Sequence, residues 1–340
     1  MEKSEINTST ETPYELFYES IYSYYDAFPC VSGYEAGHKH IAVSIILSAV
    51  ILISLIGNLL VVVISVFYMN LKSLTNIFIL NLALSDLLFT AGLPFWVSEY
   101  AWGATFGDAG CKVVIFLLAT GFYSSVMFLV LMSFQRYMAV LHPLLGWIKG
   151  HGFTLVPIIA WVVSVSAALP ATVHSTAMSD PEGLVFYCMY SSLTAFVAIS
   201  YEEIITFVCI LLLMAFCYIR ILQTIFKSPT NQNCKHSRVT GLSFFLVVTF
   251  FIFWAPSNIV NFLQLLYYHN IMFITHCEIL RLEYASYICQ PVAITRCCLN
   301  PVIYLIFGVK FRKTVREVFQ RRTALNAAQM RMVECHSDSF

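Results

Sequence analysis

The chain has 340 residues, of which 59% are hydrophobic and 11% charged, and its formal net charge is zero. An ordinary soluble domain carries about 25% charged residues. The low charge content and the mean hydropathy of +0.76 therefore exclude a typical soluble protein and indicate a membrane protein. Bulk charge argues neither for nor against nucleic acid, and no nucleic-acid partner is predicted. The first 37 residues lack the apolar core of a cleavable signal peptide, so the first membrane segment is expected to direct insertion.

Seven apolar runs follow one another along the chain. A helix needs about 20 apolar residues to cross the hydrocarbon layer of a bilayer. Runs of that length occur at 41–68, 77–101, 109–138, 153–173, 197–226, 239–267 and 283–307. They predict an all-α membrane protein, a seven-transmembrane helix bundle whose loops are too short to hold a soluble enzyme domain.

The segment that follows the last run has a different pattern. In "VKFRKTVREVFQRR" (309–322), apolar residues such as Phe311 and Val315 fall on one helical face and basic residues elsewhere. This pattern is typical of a helix that lies on a membrane surface. We therefore predict four regions: an extracellular, acidic, Tyr-rich tail (1–40), the bundle (41–307), a short amphipathic cytoplasmic eighth helix (308–322) and a cytoplasmic tail (323–340).

The distribution of Lys and Arg predicts the orientation of the bundle. One side carries Lys72, Lys149, Lys227, Lys235, Arg238 and the basic cluster at 310–322, whereas the other carries Lys3, Lys39, Lys112 and Arg281. Because basic residues accumulate in cytoplasmic loops, the first side is the cytoplasm and the amino terminus lies outside. Most acids, Glu202 and Glu203 among them, then belong to the outer side.

Polar residues within the spans indicate a functional site. A charge such as Asp86 at the bilayer centre costs at least about 2.5–3.5 kcal/mol on insertion scales. Asn58, Ser125 and Asn300 belong to three other spans and could converge on Asp86 to hold a sodium ion or a proton. The alternative is a protonated, hydrogen-bonded core Asp.

A proline in each of the last two spans is expected to bend its helix. Pro256 and Pro301 each remove a backbone donor and crowd the preceding turn, so both predict kinks. Because the kinks fall beside Trp254 and Tyr304, we interpret them as hinges. Plain architecture is the alternative.

Six short motifs occur in order along these spans: Asn58 in "IGNLL", then "LALSD", "QRY", Trp161, "FWAP" and "NPVIY". Together they strongly resemble the rhodopsin-like G-protein-coupled receptors. Within that family, "LPFW" (93–96), "RYMAVLHPL" (136–144) and "RCCLNPVIYLIFGVKFRK" (296–313) resemble the chemokine receptors. "CEILRLEYASYICQ" (277–290) and "FCYIRILQTIF" (216–226) are most similar to the C-type, lymphotactin-recognising subgroup.

The resemblance implies two disulfides. Cys111, at the start of span 3, would pair with Cys188 in the loop before span 5. Cys30, before span 1, would pair with Cys277, before span 7. The charge pattern puts all four in the oxidising exterior, where disulfides persist; free thiols are the alternative.

The resemblance also implies two contacts with a chemokine. Segment 11–28 alternates acids with tyrosines, a composition typical of disorder, suited to tyrosine sulfation and to electrostatic capture of a basic protein. A merely solubilising tail is the alternative. The tyrosines are Tyr14, Tyr18, Tyr22, Tyr24 and Tyr25. A pocket between the helices would be lined by Trp96, Tyr100, Lys112, Tyr123, Glu283, Tyr287 and Gln290.

Two pocket positions depart from the family. Gln290 stands where many chemokine receptors have a Glu that anchors a ligand ammonium group. Arg296 stands where His is frequent, and a cation at that depth needs a partner. If that partner is Asp86, the predicted sodium ion is displaced or weakened. On the outer side, Asn7 in "NTS" is a glycosylation sequon.

The stretch "FQRY" departs as well, because the family usually has Asp-Arg-Tyr at the end of span 3. There the acid holds the Arg at rest, and activation releases it towards the G protein and the Tyr of span 5, here Tyr218. Gln135 can hydrogen-bond Arg136 but cannot neutralise it, so we expect a weakened lock. A snorkelling cation at the membrane edge is the alternative. The implied activation switch comprises Gln135, Arg136, Tyr137, Tyr218, Trp254, Pro256, Asn300, Pro301 and Tyr304.

The implied function is a multi-pass plasma-membrane receptor that binds a chemokine, signals through a heterotrimeric G protein of the Gi class in leukocyte chemotaxis, and engages arrestin. The alternative within the family is an atypical receptor that internalises chemokine without G-protein signalling. A transporter or channel is less expected, because the sequence lacks the inverted repeats and doubly broken spans of transporters. No enzyme is predicted, since no nucleophile–base pair or metal-ligand cluster is recognisable, and no cofactor apart from the structural sodium ion.

Overall fold

The structure, a computed structural model, describes residues 36–102, 107–142, 152–179, 186–227, 231–269, 276–308, 311–317 and 320. Within this part of the chain, seven helical segments are long and apolar enough to cross a bilayer: Val43–Tyr68, Leu74–Ser98, Gly107–Leu141, Leu155–Val173, Leu193–Lys227, Thr240–Tyr268 and Tyr284–Phe307. The seven predicted spans are confirmed, each with edges within a few residues of the prediction.

Six helices form the first six spans, and the seventh span is divided. The six are α1 (Ala36–Tyr68), α2 (Leu74–Trp102), α3 (Gly107–Leu141), α4 (Gly152–Val173), α5 (Leu193–Lys227) and α6 (Asn231–Tyr268). The seventh span consists of α7 (His276–Ile294), a 3-10 turn (Thr295–Cys298) and α8 (Leu299–Phe307). Helix α6 continues through Pro256, whereas the seventh span changes its helix type just before Pro301.

A β-hairpin that the sequence pattern did not predict joins α4 to α5. Its strands are β1 (Ser175–Ser179) and β2 (Phe186–Tyr190), and Ala177 lies opposite Cys188 in the antiparallel register. The described parts of the loop before span 5 therefore form a two-stranded sheet at the end of the bundle where α3 begins.

Helix α3 is the central element of the bundle, since it contacts α2, α4, α5, α6 and both strands. It approaches α2 closely at Gly121, where an added Cβ would lie 2.6 Å from the backbone nitrogen of Phe89. On α4, Trp161 Nε1 donates a 2.9 Å hydrogen bond to Asn81 Oδ1 of α2. These contacts fix the helices that surround the functional site.

Large apolar side chains occupy both the interior and the outer surface of the bundle. Phe78, Phe128 and Met132 are almost completely buried. By contrast, Ile56 is 67% exposed and Phe226 is 80% exposed. Such exposure fits a surface covered by lipid, because acyl chains are as apolar as these side chains.

A short helix, α9 (311–317), follows the seventh span. Phe311 is buried with its ring 6.0 Å from that of Tyr304, whereas Arg312 and Arg316 are exposed. The predicted eighth helix is thus confirmed as amphipathic over these residues. The described part of the chain does not include residues 1–35, the remaining positions of the predicted eighth helix (309–310, 318–319 and 321–322) or the tail at 323–340.

Candidate functional site

A cavity of about 220 Å³ lies between the helices near the hairpin. Its wall is mostly apolar and aromatic, and Trp254 contributes to it. The polar side chains that line it are Tyr123, Tyr190, Glu203, Ser257, Asn258, Asn261 and Gln290. An apolar cleft with a few converging polar groups is the usual form of a ligand site.

Glu203 of α5 brings an acidic group to this cavity. Its Oε2 accepts a long hydrogen bond of 3.4 Å from Asn261 Nδ2 of α6. The neighbouring Glu202 accepts a 3.2 Å hydrogen bond from the Tyr123 hydroxyl of α3. Across the described ranges, no ion pair involves either Glu. Glu203 therefore gives the cavity a carboxyl group that forms no ion pair with any of the described residues.

The hairpin is attached to α3 by a disulfide. Cys111 and Cys188 are bonded, with Cα atoms 5.4 Å apart, so the pairing that the resemblance implied is confirmed. The bond holds β2 over the end of the bundle and places Tyr190 against the cavity. Burial raises the pKa of the Tyr190 phenol, and the nearby Glu203 and Glu202 carboxylates raise it further.

Deeper in the bundle, Asp86 and Arg296 form a buried ion pair. Arg296 Nη2 lies 3.0 Å from Asp86 Oδ1, and the two residues are 5% and 0% exposed. Arg296 Nη2 also donates to Ser125 Oγ, and Asn300 Nδ2 donates to Asp86 Oδ2. Ser125 lies 3.3 Å from the same carboxylate. The sequence alone leaves this pairing open and predicts that it would displace or weaken a bound sodium ion.

These residues do not fit a sodium ion in the predicted way. Both carboxylate oxygens of Asp86 already accept hydrogen bonds, and a guanidinium supplies the positive charge. Asn58, the fourth predicted sodium ligand, makes its hydrogen bonds through Nδ2, while its buried Oδ1 has no hydrogen-bond partner among the described residues. Its Nδ2 donates to the backbone oxygens of Cys297, at 3.0 Å, and Ser54, at 3.0 Å.

The bond to Cys297 has a local cause. In a regular helix, the Cys297 carbonyl would accept the N–H of residue 301, but Pro301 has none. Asn58 Nδ2, together with the Ser54 hydroxyl at 3.3 Å, satisfies this carbonyl instead. A buried carbonyl in a membrane protein requires such a substitute. Asn58 therefore joins α1 to the turn that holds Arg296.

Arg136 lies at the end of α3 that is far from Cys111, and a hydroxyl group, not a carboxylate, accepts its hydrogen bond. Its Nη2 donates a 2.7 Å hydrogen bond to Thr75 Oγ1 of α2, and Thr75 donates a 3.3 Å bond to Gln135 Oε1. The predicted link between Gln135 and Arg136 thus passes through Thr75. Tyr218 of α5 bonds Ser133 at 3.2 Å. Arg136 is 9% exposed and belongs to none of the ion pairs among the described residues.

Comparison with known proteins agrees with this geometry. Residues 57–304 match the family model "7 transmembrane receptor (rhodopsin family)". The chain is 39% identical to human Chemokine XC receptor 1 over 284 residues, which is 83% of this chain and 82% of that protein. Human C-C chemokine receptor type 1 is 33% identical over 323 residues, 90% of this chain and 87% of that receptor. Mouse Chemokine XC receptor 1 is 37% identical, covering 83% and 84% of the two chains.

The chain is a chemokine receptor of the rhodopsin family. This confirms the family predicted from the motifs, and receptors of this family are not enzymes. The seven long apolar helices are therefore the membrane-spanning segments of a multi-pass membrane protein.

The receptor brings three of the predicted pocket residues together. Trp96, Tyr123 and Gln290 line the cavity. Lys112 is not among the lining residues. Its Nζ pairs at 2.8 Å with Asp108, one turn earlier on α3, and both side chains are partly exposed. The other predicted ligand, disulfide and glycosylation residues have side chains outside the described part of the chain: Tyr14, Tyr18, Tyr22, Tyr24, Tyr25, Tyr100, Glu283, Tyr287, Cys30, Cys277 and Asn7.

Trp254, one of the predicted switch residues, packs within an aromatic cluster. The Trp254 ring lies 4.4 Å from that of Phe122 on α3 and 6.4 Å from that of Phe250 on α6. Tyr304 is 1% exposed, and its hydroxyl and Trp254 Nε1 are without a hydrogen-bond partner in the described structure. Tyr137 stacks on a neighbouring ring, that of Phe134, at 13° and 6.1 Å. Trp254, which lines the cavity, is thus packed against aromatic rings of both α3 and α6.

Two functional positions were not predicted from the sequence. The sequence analysis places Glu203 only on the outer acidic side, although an acid within the apolar run of α5 is a signal that marks it. Thr75 had no distinguishing feature, because a Thr near the start of a span is ordinary. Its role depends on α2 and α3 meeting at that point.

Proposed function

We propose that this receptor is a plasma-membrane receptor for a chemokine, with its amino terminus outside the cell. On binding, it signals through a heterotrimeric G protein of the Gi class and directs leukocyte chemotaxis, with arrestin as a further partner. The observation that carries this proposal is the cavity near the hairpin, which is lined by Glu203, a carboxyl group with no ion-pair partner among the described residues. The names of the relatives, Chemokine XC receptor 1 and C-C chemokine receptor type 1, supply the ligand class.

The acid of the cavity suits a basic ligand. Gln290 cannot neutralise an ammonium group, but Glu203 lines the same cavity and can. A carboxylate in a low-dielectric site gains most from an opposite charge that arrives with its own hydrogen bonds. Glu203 is therefore the anchor for the terminal ammonium or a basic side chain of the chemokine.

The acidic tail at 11–28 provides the first encounter with the ligand. Its carboxylates and tyrosines attract a basic chemokine before any fitted contact forms. Replacing Tyr14, Tyr18, Tyr22, Tyr24 and Tyr25 with Phe should slow association at low salt. The difference should shrink at ~1 M salt, where the screening length is about 3 Å. Equal association rates at low salt would leave the tail as a solubilising segment.

One experiment tests the proposal as a whole. Cells that express the receptor are exposed to a chemokine panel, and binding, inhibition of cAMP production and arrestin recruitment are measured. Glu203→Gln is compared with Glu202→Gln, which removes the neighbouring charge that Tyr123 already binds. We expect Glu203→Gln to weaken binding by roughly ten-fold or more, since a charged hydrogen bond is worth about 1.5–3 kcal/mol. Failure of every chemokine to bind would refute the proposal.

The arrangement of Gln135 favours one second candidate, an atypical receptor that internalises chemokine without G-protein signalling. The acid that normally neutralises the Arg of this triplet is replaced by an amide, and Thr75 is the direct partner of Arg136. Chemokine binding with arrestin recruitment but no inhibition of cAMP production would select this candidate. Inhibition that depends on a Gi-class protein would exclude it.

A further inference from the structure

The polar cluster around Asp86 contains a cation that belongs to the chain. Three of the four residues predicted to hold sodium make other contacts instead. Asp86 and Ser125 accept hydrogen bonds from the Arg296 guanidinium, and Asn300 donates one to the Asp86 carboxylate. Arg296 is 5% exposed and Asp86 is completely buried. The pair is therefore closed to bulk solvent, and an ion from solution does not reach it without displacing a side chain.

A second cation at this position would meet two obstacles. The Asp86 oxygens that would bind it are engaged by Arg296 and Asn300, and the Ser125 oxygen accepts from the guanidinium. An added ion would also lie within a few ångströms of a side chain that stays protonated in proteins. Like charges repel strongly where the dielectric constant is low. The cluster therefore accommodates one cation.

The guanidinium is in contact with several spans. Its Cζ lies 5.5 Å above the ring of Phe250 on α6, and that ring stacks with Trp254 beside the cavity. The 3-10 turn that bears Arg296 is fixed to α1 by the bonds to the Cys297 carbonyl. A free ion could leave when these spans rearrange, whereas Arg296 must move with its own backbone.

We propose that Arg296 is a tethered cation that takes the place of an exchangeable ion in the centre of the bundle. The Asp86–Arg296 pair then supplies the stabilisation that a bound ion would otherwise give, so the Tm of the receptor does not respond to sodium in the medium. Removing the guanidinium while keeping an oxygen acceptor at position 296 should create a sodium site from Asp86, Ser125 and Asn300.

Thermal unfolding of the full-length receptor in lipid nanodiscs tests this proposal without a chemokine. The Tm is measured in sodium chloride and in choline chloride at equal ionic strength. The wild type should have the same Tm in both salts. In choline chloride, Arg296→Asn should have a lower Tm than the wild type. In sodium chloride its Tm should rise by about 2–4 °C or more, as expected for an ion that binds only the folded state.

Two further variants isolate the role of the charge. Arg296→Lys keeps a cation beside Asp86 and should remain indifferent to sodium. Arg281→Asn makes the same exchange at an exposed position of α7 and should not create a sodium response. A wild-type or Arg296→Lys Tm that rises in sodium overturns the proposal, and this comparison still decides if Arg296→Asn does not fold. A folded Arg296→Asn variant that is indifferent to sodium also overturns it.

Discussion

Replacing Gln135 with Asp should strengthen the resting state of the receptor. In the structure, the Arg136 guanidinium reaches Gln135 only through the Thr75 hydroxyl, with bonds of 2.7 and 3.3 Å. Arg136 Nε is buried and has no hydrogen-bond partner among the described residues. A carboxylate at position 135 would place an acceptor of opposite charge beside a cation that lacks one.

The magnitude follows from the burial of Arg136, which is 9% exposed. A fully exposed ion pair is worth about 0–1 kcal/mol, because water and salt screen it. A hydrogen bond to a charged group that is shielded from water is worth roughly 1.5–3 kcal/mol. If this gain belongs to the resting state alone, the resting-to-active ratio rises by about ten-fold or more, since 1.4 kcal/mol is a factor of ten.

Basal nucleotide exchange on a Gi-class protein, measured in membranes at equal surface expression, provides the assay. Gln135→Asp should lower basal exchange while chemokine affinity at the outer side changes little. Gln135→Asn is the matched control, because it shortens the side chain equally but adds no charge. Thr75→Val, which removes the bridging hydroxyl, should raise basal exchange.

An equal effect of Gln135→Asp and Gln135→Asn would refute the reasoning, because side-chain length and not charge would then be responsible. Unchanged basal and stimulated signalling in the Asp variant would make Gln135 a neutral neighbour of Arg136. If the wild type does not couple to a G protein, the Asp variant should acquire chemokine-driven exchange.

Three other substitutions test the packing that supports the site. Gly121→Ala should lower stability by about 1–3 kcal/mol, because its Cβ would lie 2.6 Å from the Phe89 backbone, whereas Gly241→Ala, with open space around it, should be neutral or slightly stabilising by thermal unfolding. Cys188→Ser should remove about 4–5 kcal/mol, as expected from the 77-residue separation of the bonded cysteines, and a Tm unaffected by the change would contradict a structural role for the hairpin. Asn58→Ala should lower stability by about 1–3 kcal/mol, since the Cys297 carbonyl would keep only the longer bond from Ser54; an unchanged Tm would show that this carbonyl needs no second donor.

Much of the fold could be predicted from local properties of the sequence. The length of an apolar run decides whether a helix crosses a bilayer, so the seven spans were correct to within a few residues. The order of short motifs was specific enough to indicate the family, and with it the bond between Cys111 and Cys188. The amphipathic pattern of 311–317 also required no tertiary information, because the helical spacing of its apolar and basic residues already separates a buried face from an exposed one.

The composition of the site depended on how the helices face one another. Helices that are apolar on all sides carry no periodic signal for which face meets which neighbour. Glu203 and Glu202 are adjacent in sequence, yet only Glu203 lines the cavity, while Glu202 accepts a bond from Tyr123. Likewise, Lys112 lies near the start of α3, the end next to the hairpin, but it pairs with Asp108 and does not line the cavity.

The buried ion pair shows the division most clearly. The sequence by itself determined that Asp86 and Arg296 both lie within spans and that each needs compensation for its charge. It could not decide between a sodium ion and a side chain as the compensating cation, because the two residues are 210 positions apart. Only the packing of α2 against the 3-10 turn brings the guanidinium to the carboxylate, and at 3.0 Å each charge has the other as its partner.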